Sequence, residues 1–70
     1  MIPTTQHELI DKLVDIHHLS PDIRFGQLLA NIGFLVEDRT DCPLREVEDD
    51  QLLVIMEGHR IDLARRLADA

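Results

Sequence analysis

The chain contains no tryptophan and no tyrosine, and Phe25 and Phe34 are its only large apolar aromatics. Its core must therefore be aliphatic, built from Leu, Ile, Val and Met, which suits packed helices. A single cysteine, Cys42, excludes an internal disulfide. Long apolar runs are missing too: the longest, Leu52 to Met56, falls far short of the roughly 20 residues needed to cross a bilayer. Basic residues are scarce, with seven Lys and Arg against fourteen Asp and Glu, for a formal net charge of −7. That negative field repels nucleic-acid phosphates and anionic lipid, so no direct nucleic-acid or membrane partner is expected. The N-terminal stretch lacks the basic, apolar-cored pattern of a secretion signal, and the cytoplasm is the expected compartment.

What is present is enough to fold. Hydrophobic residues make up 44% of the chain, too many for a disordered tail. Seventy residues form one domain, 1–70, without repeats or low-complexity tracts. A chain this short buries only about 60% of the surface its unfolded form exposes. Its stability margin is small, and support from another chain is a reasonable expectation.

The spacing predicts an all-α, compact three-helix domain with helices at approximately 5–18, 21–36 and 47–67. Thr5 and Glu8 have capping-box spacing, and Leu9, Ile10, Leu13, Val14, Ile16 and His17 then recur on one side of a helix. Ser20-Pro21-Asp22 reads as a second helix start, leaving a two-residue link. Phe25, Leu28, Leu29, Ile32, Leu35 and Val36 follow at intervals of three and four. Polar residues from Glu37 to Glu46, with Pro43 restricting Cys42, predict a loop. Glu46, Glu48, Asp49 and Asp50 crowd the start of the third helix and Arg60, Arg65 and Arg66 its far half, matching the helix dipole. Gly58 weakens this helix by roughly 1 kcal/mol relative to Ala and marks where it could break, but a continuous helix is expected.

Three features of the pattern point to contacts. Gly26, Ala30 and Gly33 share one flank of the second helix and allow close approach, first of helix one or three, alternatively of another chain. Arg24, Gln27 and Asn31 line another border. They are expected either to clamp the acids at the start of helix three or to form a polar patch for a partner. The first half of helix three is apolar nearly all round: Leu52, Leu53 and Met56 make one face while Val54, Ile55 and Ile61 point elsewhere. Val54, Ile55 and Ile61, rimmed by Glu48, Asp49 and Asp50, are thus the expected partner-binding surface, unless the helix is covered internally.

The stretch Asp22-Ile23-Arg24-Phe25-Gly26-Gln27-Leu28-Leu29-Ala30-Asn31, followed by Val47-Glu48-Asp49-Asp50-Gln51-Leu52-Leu53, resembles an uncharacterised family of small bacterial proteins. Members carry an Arg-x-Gly-Gln-Leu-x-x-Asn segment and then an acidic Asp-Val-Glu-Asp-Glu-Glu-Leu segment. The resemblance spans about half the chain. Here Glu46 stands where the family often has Asp, Asp50 where it has Glu, and Gln51 replaces a further acid. The resemblance implies that the two polar segments belong together, and it implies no activity.

Chemistry finds little support in the pattern. His7, Asp11, Asp15 and His18 share a face but span about three turns, so only neighbours such as Asp15 with His18 could approach one ion. His17 falls on the apolar side and reads as a core-edge histidine with one ring nitrogen satisfied. Cys42 lies in an acidic loop without a paired base, and the loop acids lack the glycine and closing Glu of a calcium loop. With no phosphate-cradling glycine loop either, no enzyme, metal or cofactor is expected. The expectation is a non-enzymatic protein–protein interaction or assembly module of a bacterial cytoplasmic complex, its partner another protein chain or a second copy. Two alternatives remain: an acidic inhibitor, immunity protein or antitoxin occupying a basic nucleic-acid-binding site, and a purely structural subunit.

Overall fold

Helix α1 spans Thr4–Leu19 in the computed structural model, which describes residues 1–69. Its start is not the expected capping box. Pro3 caps the helix, its carbonyl accepting from the N–H groups of Gln6 and His7 at 3.0 and 3.1 Å. Thr5 already lies inside the first turn. Proline's fixed φ and missing N–H suit it to the boundary, where no intrahelical donor is lost.

Helix α2 spans Phe25–Thr40, a correction at both ends of the expected 21–36. Ser20 closes α1 instead of opening α2, donating its N–H to the His17 carbonyl at 3.1 Å, and Pro21 and Asp22 form a turn. The chain stays extended at Arg24 (φ −71°, ψ 151°), and Ile23 beside it packs against the core. Burial of Ile23 thus outweighs the local start signal. At the other end the helix continues through the exposed Glu37, Asp38 and Arg39. It stops where Asp41 turns left-handed, φ 59°, with its N–H donating to the Glu37 carbonyl at 2.9 Å. Thr40 Oγ1 fastens this end, donating to the Val36 carbonyl at 2.8 Å and accepting from the Cys42 N–H at 3.1 Å.

After a 3-10 turn at Leu44–Glu46, helix α3 spans Asp49–Ala68 without a break at Gly58. Helices α1 and α3 run parallel: Gln6 Nε2 donates to Asp49 Oδ2 at 3.1 Å near both starts, and Lys12 pairs with Glu57 further along. Between them α2 carries the chain back. Its Leu28, Ile32 and Val36, at four-residue spacing, form one stripe that meets Ile16 of α1 and Ile55 and Met56 of α3. These six side chains are the buried core, ringed by the partly buried Leu9, Leu13, Ile23, Leu35, Val47, Leu52 and Leu63. Each of the six core side chains contributes about 1.5–3 kcal/mol by leaving water.

Candidate interaction surface

The expected surface on α3 divides. Ile55 is only 5% exposed and belongs to the core, so it cannot serve a partner. The reason is the close parallel packing of α1 against α3, which draws Ile55 and Met56 inward together. Val54 is 72% exposed, and Ile61, two turns on along the same side, is partly exposed. This pair is a small apolar spot. The adjacent acids differ among themselves: Glu48 and Asp50 are exposed, whereas Asp49 is half-buried and accepts from Gln6.

The polar clamp does not form. Gln27 Nε2 donates to Asn31 Oδ1 at 3.2 Å, on the exposed side of α2, and neither reaches the acids of α3. Arg24 is exposed and makes no ion pair among the described residues. Starting α2 at Phe25 leaves Arg24 as its extended cap, and Gln27 and Asn31 bond each other on α2 itself. The role that clamp was to fill falls to Gln6 at Asp49.

The small residues of α2 also face outward. A Cβ built on Gly26 or Gly33 would meet nothing within 4 Å among the described residues, so neither helix α1 nor α3 approaches there. At about 100° per residue, Leu29, Gly33, Gly26, Ala30 and Phe34 fan across roughly 140° of the helix, from beside Val36 round to the side opposite the stripe of Leu28, Ile32 and Val36. Phe34 is 68% exposed, and Phe25 and Leu29 are also exposed. Beside Leu29 this face opens into an apolar groove of about 190 Å³, walled by Leu9, Ile10 and Leu13 of α1 and floored by Ile32 and Met56. Ile10 in this wall and Val14, one turn further along α1, are half-exposed. The groove is smaller than the roughly 300–1,000 Å³ usual for small-molecule sites.

Periodicity missed this face because it assigned Leu29, Ile10 and Val14 to the core. A plainer signal was available: from Phe25 to Val36 the sequence has no charged residue. A surface helix that long ordinarily carries charge on its outer side. The whole molecule is correspondingly under-packed. Its accessible surface is 5136 Å², roughly 700 Å² more than the ~4,450 Å² expected of a monomer of its mass. The Cα radius of gyration is 12.1 Å, against about 11 Å for a compact chain of this length.

Charged groups concentrate on the α1–α3 side. Arg60 Nε donates to both Glu57 carboxylate oxygens at 3.2 and 3.1 Å, and Lys12 pairs with the same carboxylate. The hydrogen bonds from Arg60 and then Lys12 hold the Glu57 carboxyl at about 2, well below its ordinary 4.5. Burial, with the nearby Arg66, lowers the pKa of His59. Asp15 and His18 line a shallow polar hollow with Leu19 and Arg60, where the guanidinium opposes a second cation. Among the described residues no three His, Cys, Asp or Glu side chains come together as metal ligands. His17 stands edge-on to Phe25, ring centres 6.0 Å apart and planes at 87°. Its Nδ1 is buried without a hydrogen-bond partner among the described residues, so the expected satisfied nitrogen is not found at that atom. Among the described residues no helix is long and apolar enough to cross a membrane.

No protein-family model, curated protein or solved structure matches the chain.

Proposed function

We propose that this chain is a non-enzymatic protein–protein interaction or assembly module that works within a bacterial cytoplasmic complex. The uncharged apolar face of α2, continuous with the groove beside α1, carries this reading. A chain with so small a core leaves Leu29, Phe34, Ile10 and Val14 in water only if something covers them when it works. The apolar centre supplies affinity, and the exposed acids Glu46, Glu48 and Asp50 with Arg24 supply orientation. Val54 and Ile61 form a second, smaller contact.

The test is purification of the tagged chain with its partners from the native cell, beside Leu29→Asp and Val54→Asp variants. Leu29→Asp is expected to lose the partner, and Val54→Asp to weaken it less. Retention of every partner by both variants refutes the reading.

The net charge and the exposed carboxylates at the start of α3 favour one competing reading, an acidic inhibitor, immunity protein or antitoxin that occupies a basic nucleic-acid-binding site. Salt separates the two. Phosphate mimicry weakens sharply as ionic strength rises, whereas an apolar contact persists.

A further inference from the structure

We infer that the occupant of the groove between α1 and α2 is an amphipathic helix of another protein, with apolar residues on one side and Lys and Arg on the other. This rests on the interaction reading and names the kind of partner. The chemistry of the groove's walls, its size and the charge around its mouth each select that occupant.

Every residue lining the groove is Leu, Ile or Met, drawn from α1, α2 and α3 and, through Leu44, from the 3-10 turn. These side chains offer no hydrogen bond, and the helices that carry them bond their backbone groups internally. An extended peptide laid there would bury N–H and C=O groups against walls that cannot pair with them, and no sheet edge exists among the described residues to take it as a strand. A helix satisfies its own backbone and presents side chains alone.

About 190 Å³ is less than a small-molecule site usually offers, but it suits apolar side chains inserted from a partner's surface. Half-exposed Ile10 and Val14, one turn apart, give α1 an apolar edge with helical spacing. On α2 the open space above Gly26 and Gly33 lets a second backbone come close beside Leu29. A helix with apolar residues three and four apart matches such an edge.

The mouth of the groove is acidic. Asp11 follows Ile10, Glu37 lies one turn beyond Gly33 on the same flank of α2, and Glu46 and Glu48 follow Leu44; all four are exposed. The bases nearby do little to offset them. Arg45 is exposed between Leu44 and Glu46, but Lys12 is held by Glu57, and Arg39 reaches toward Gly58 of α3. A helix bearing Lys and Arg is drawn to this rim, and one bearing Asp and Glu is repelled. The net charge of −7 acts in the same sense at longer range.

Isothermal titration calorimetry of the full chain with two synthetic helices tests this. One is an Ala-rich peptide of about 15 residues with Leu recurring every three to four positions and Lys on the other side; its twin carries Glu for every Lys. The Lys helix should bind and the Glu helix should not. Leu29→Asp and Ile10→Asp, both at exposed positions, should weaken binding at least roughly tenfold, with the circular dichroism signal confirming that each variant is folded. Each adds a negative charge, so attraction between opposite charges alone would make binding tighter instead. Gln27→Glu adds the same charge at an exposed position on the far side of α2 and should leave binding within about twofold of wild type. Salt should weaken the complex several-fold without abolishing it.

A Lys helix that does not bind overturns the proposal, as does a Glu helix that binds equally well, binding that survives both Leu29→Asp and Ile10→Asp, or complete loss on adding salt. If the Lys helix fails while Leu29→Asp still loses a partner in the native cell, the interaction reading stands and the cationic helix is refuted. If the Lys helix fails and Leu29→Asp and Val54→Asp both keep every partner, both are refuted.

Discussion

Replacing Gly33 by alanine should stabilise the folded chain, although an interior glycine is usually kept for close packing. Gly33 lies mid-helix in α2, where glycine costs about 1 kcal/mol relative to alanine because its backbone loses more freedom on folding. That cost is recovered only if the new methyl fits, and here a Cβ meets nothing within 4 Å among the described residues. The expected gain is therefore near the full ~1 kcal/mol, or a rise in Tm of roughly 4–8 °C for a domain of this size. Urea and thermal unfolding followed by circular dichroism at high dilution measure it. Gly58→Ala provides the comparison: it lies inside α3, and its methyl would meet only the Arg39 guanidinium at 3.9 Å, an ordinary contact. It should gain a similar amount at every protein concentration. Loss of stability by Gly33→Ala at high dilution would refute the open geometry of this face.

Ile16→Ala removes a side chain with no exposed surface from the centre of the core, and urea denaturation should show a loss of about 2–5 kcal/mol, a large share of the stability of so small a domain. Asn31→Ala breaks only an exposed bond to Gln27, so its stability should stay within about 0.5 kcal/mol of wild type; a larger loss would mean that Asn31 has an internal duty. The depressed Glu57 pKa means that its pairing with Arg60 and Lys12 stabilises the fold above pH 4.5, and that this contribution is lost as pH falls toward 2. Stability measured against pH should therefore decline less steeply over that window in Glu57→Gln, and an unchanged slope would exclude a stabilising role for the cluster.

The sequence by itself determined that this protein is three helices with an aliphatic core, because the three-to-four-residue recurrence is a local property that many residues report together. Leu28, Ile32 and Val36 were legible as a buried stripe, and so was the direction of α3 from the acids in its first turn and Arg65 and Arg66 in its last. Boundaries were less so. Ser20-Pro21-Asp22 carries a valid local start signal, yet α2 begins at Phe25 because Ile23 packs against the core from an extended chain, and that gain comes from residues distant in sequence. Likewise, the nearly all-round apolar start of α3 could not reveal which side was inside; parallel packing with α1 chose Ile55 and left Val54 in water. The candidate surface depended on tertiary structure most of all. The absence of charge from Phe25 to Val36 was visible in the chain, but whether Gly26, Ala30, Gly33 and Phe34 faced a neighbouring helix or solvent was decided by where α2 lies against α1 and α3. A period identifies a face, and only the arrangement of the other helices decides whether anything covers it.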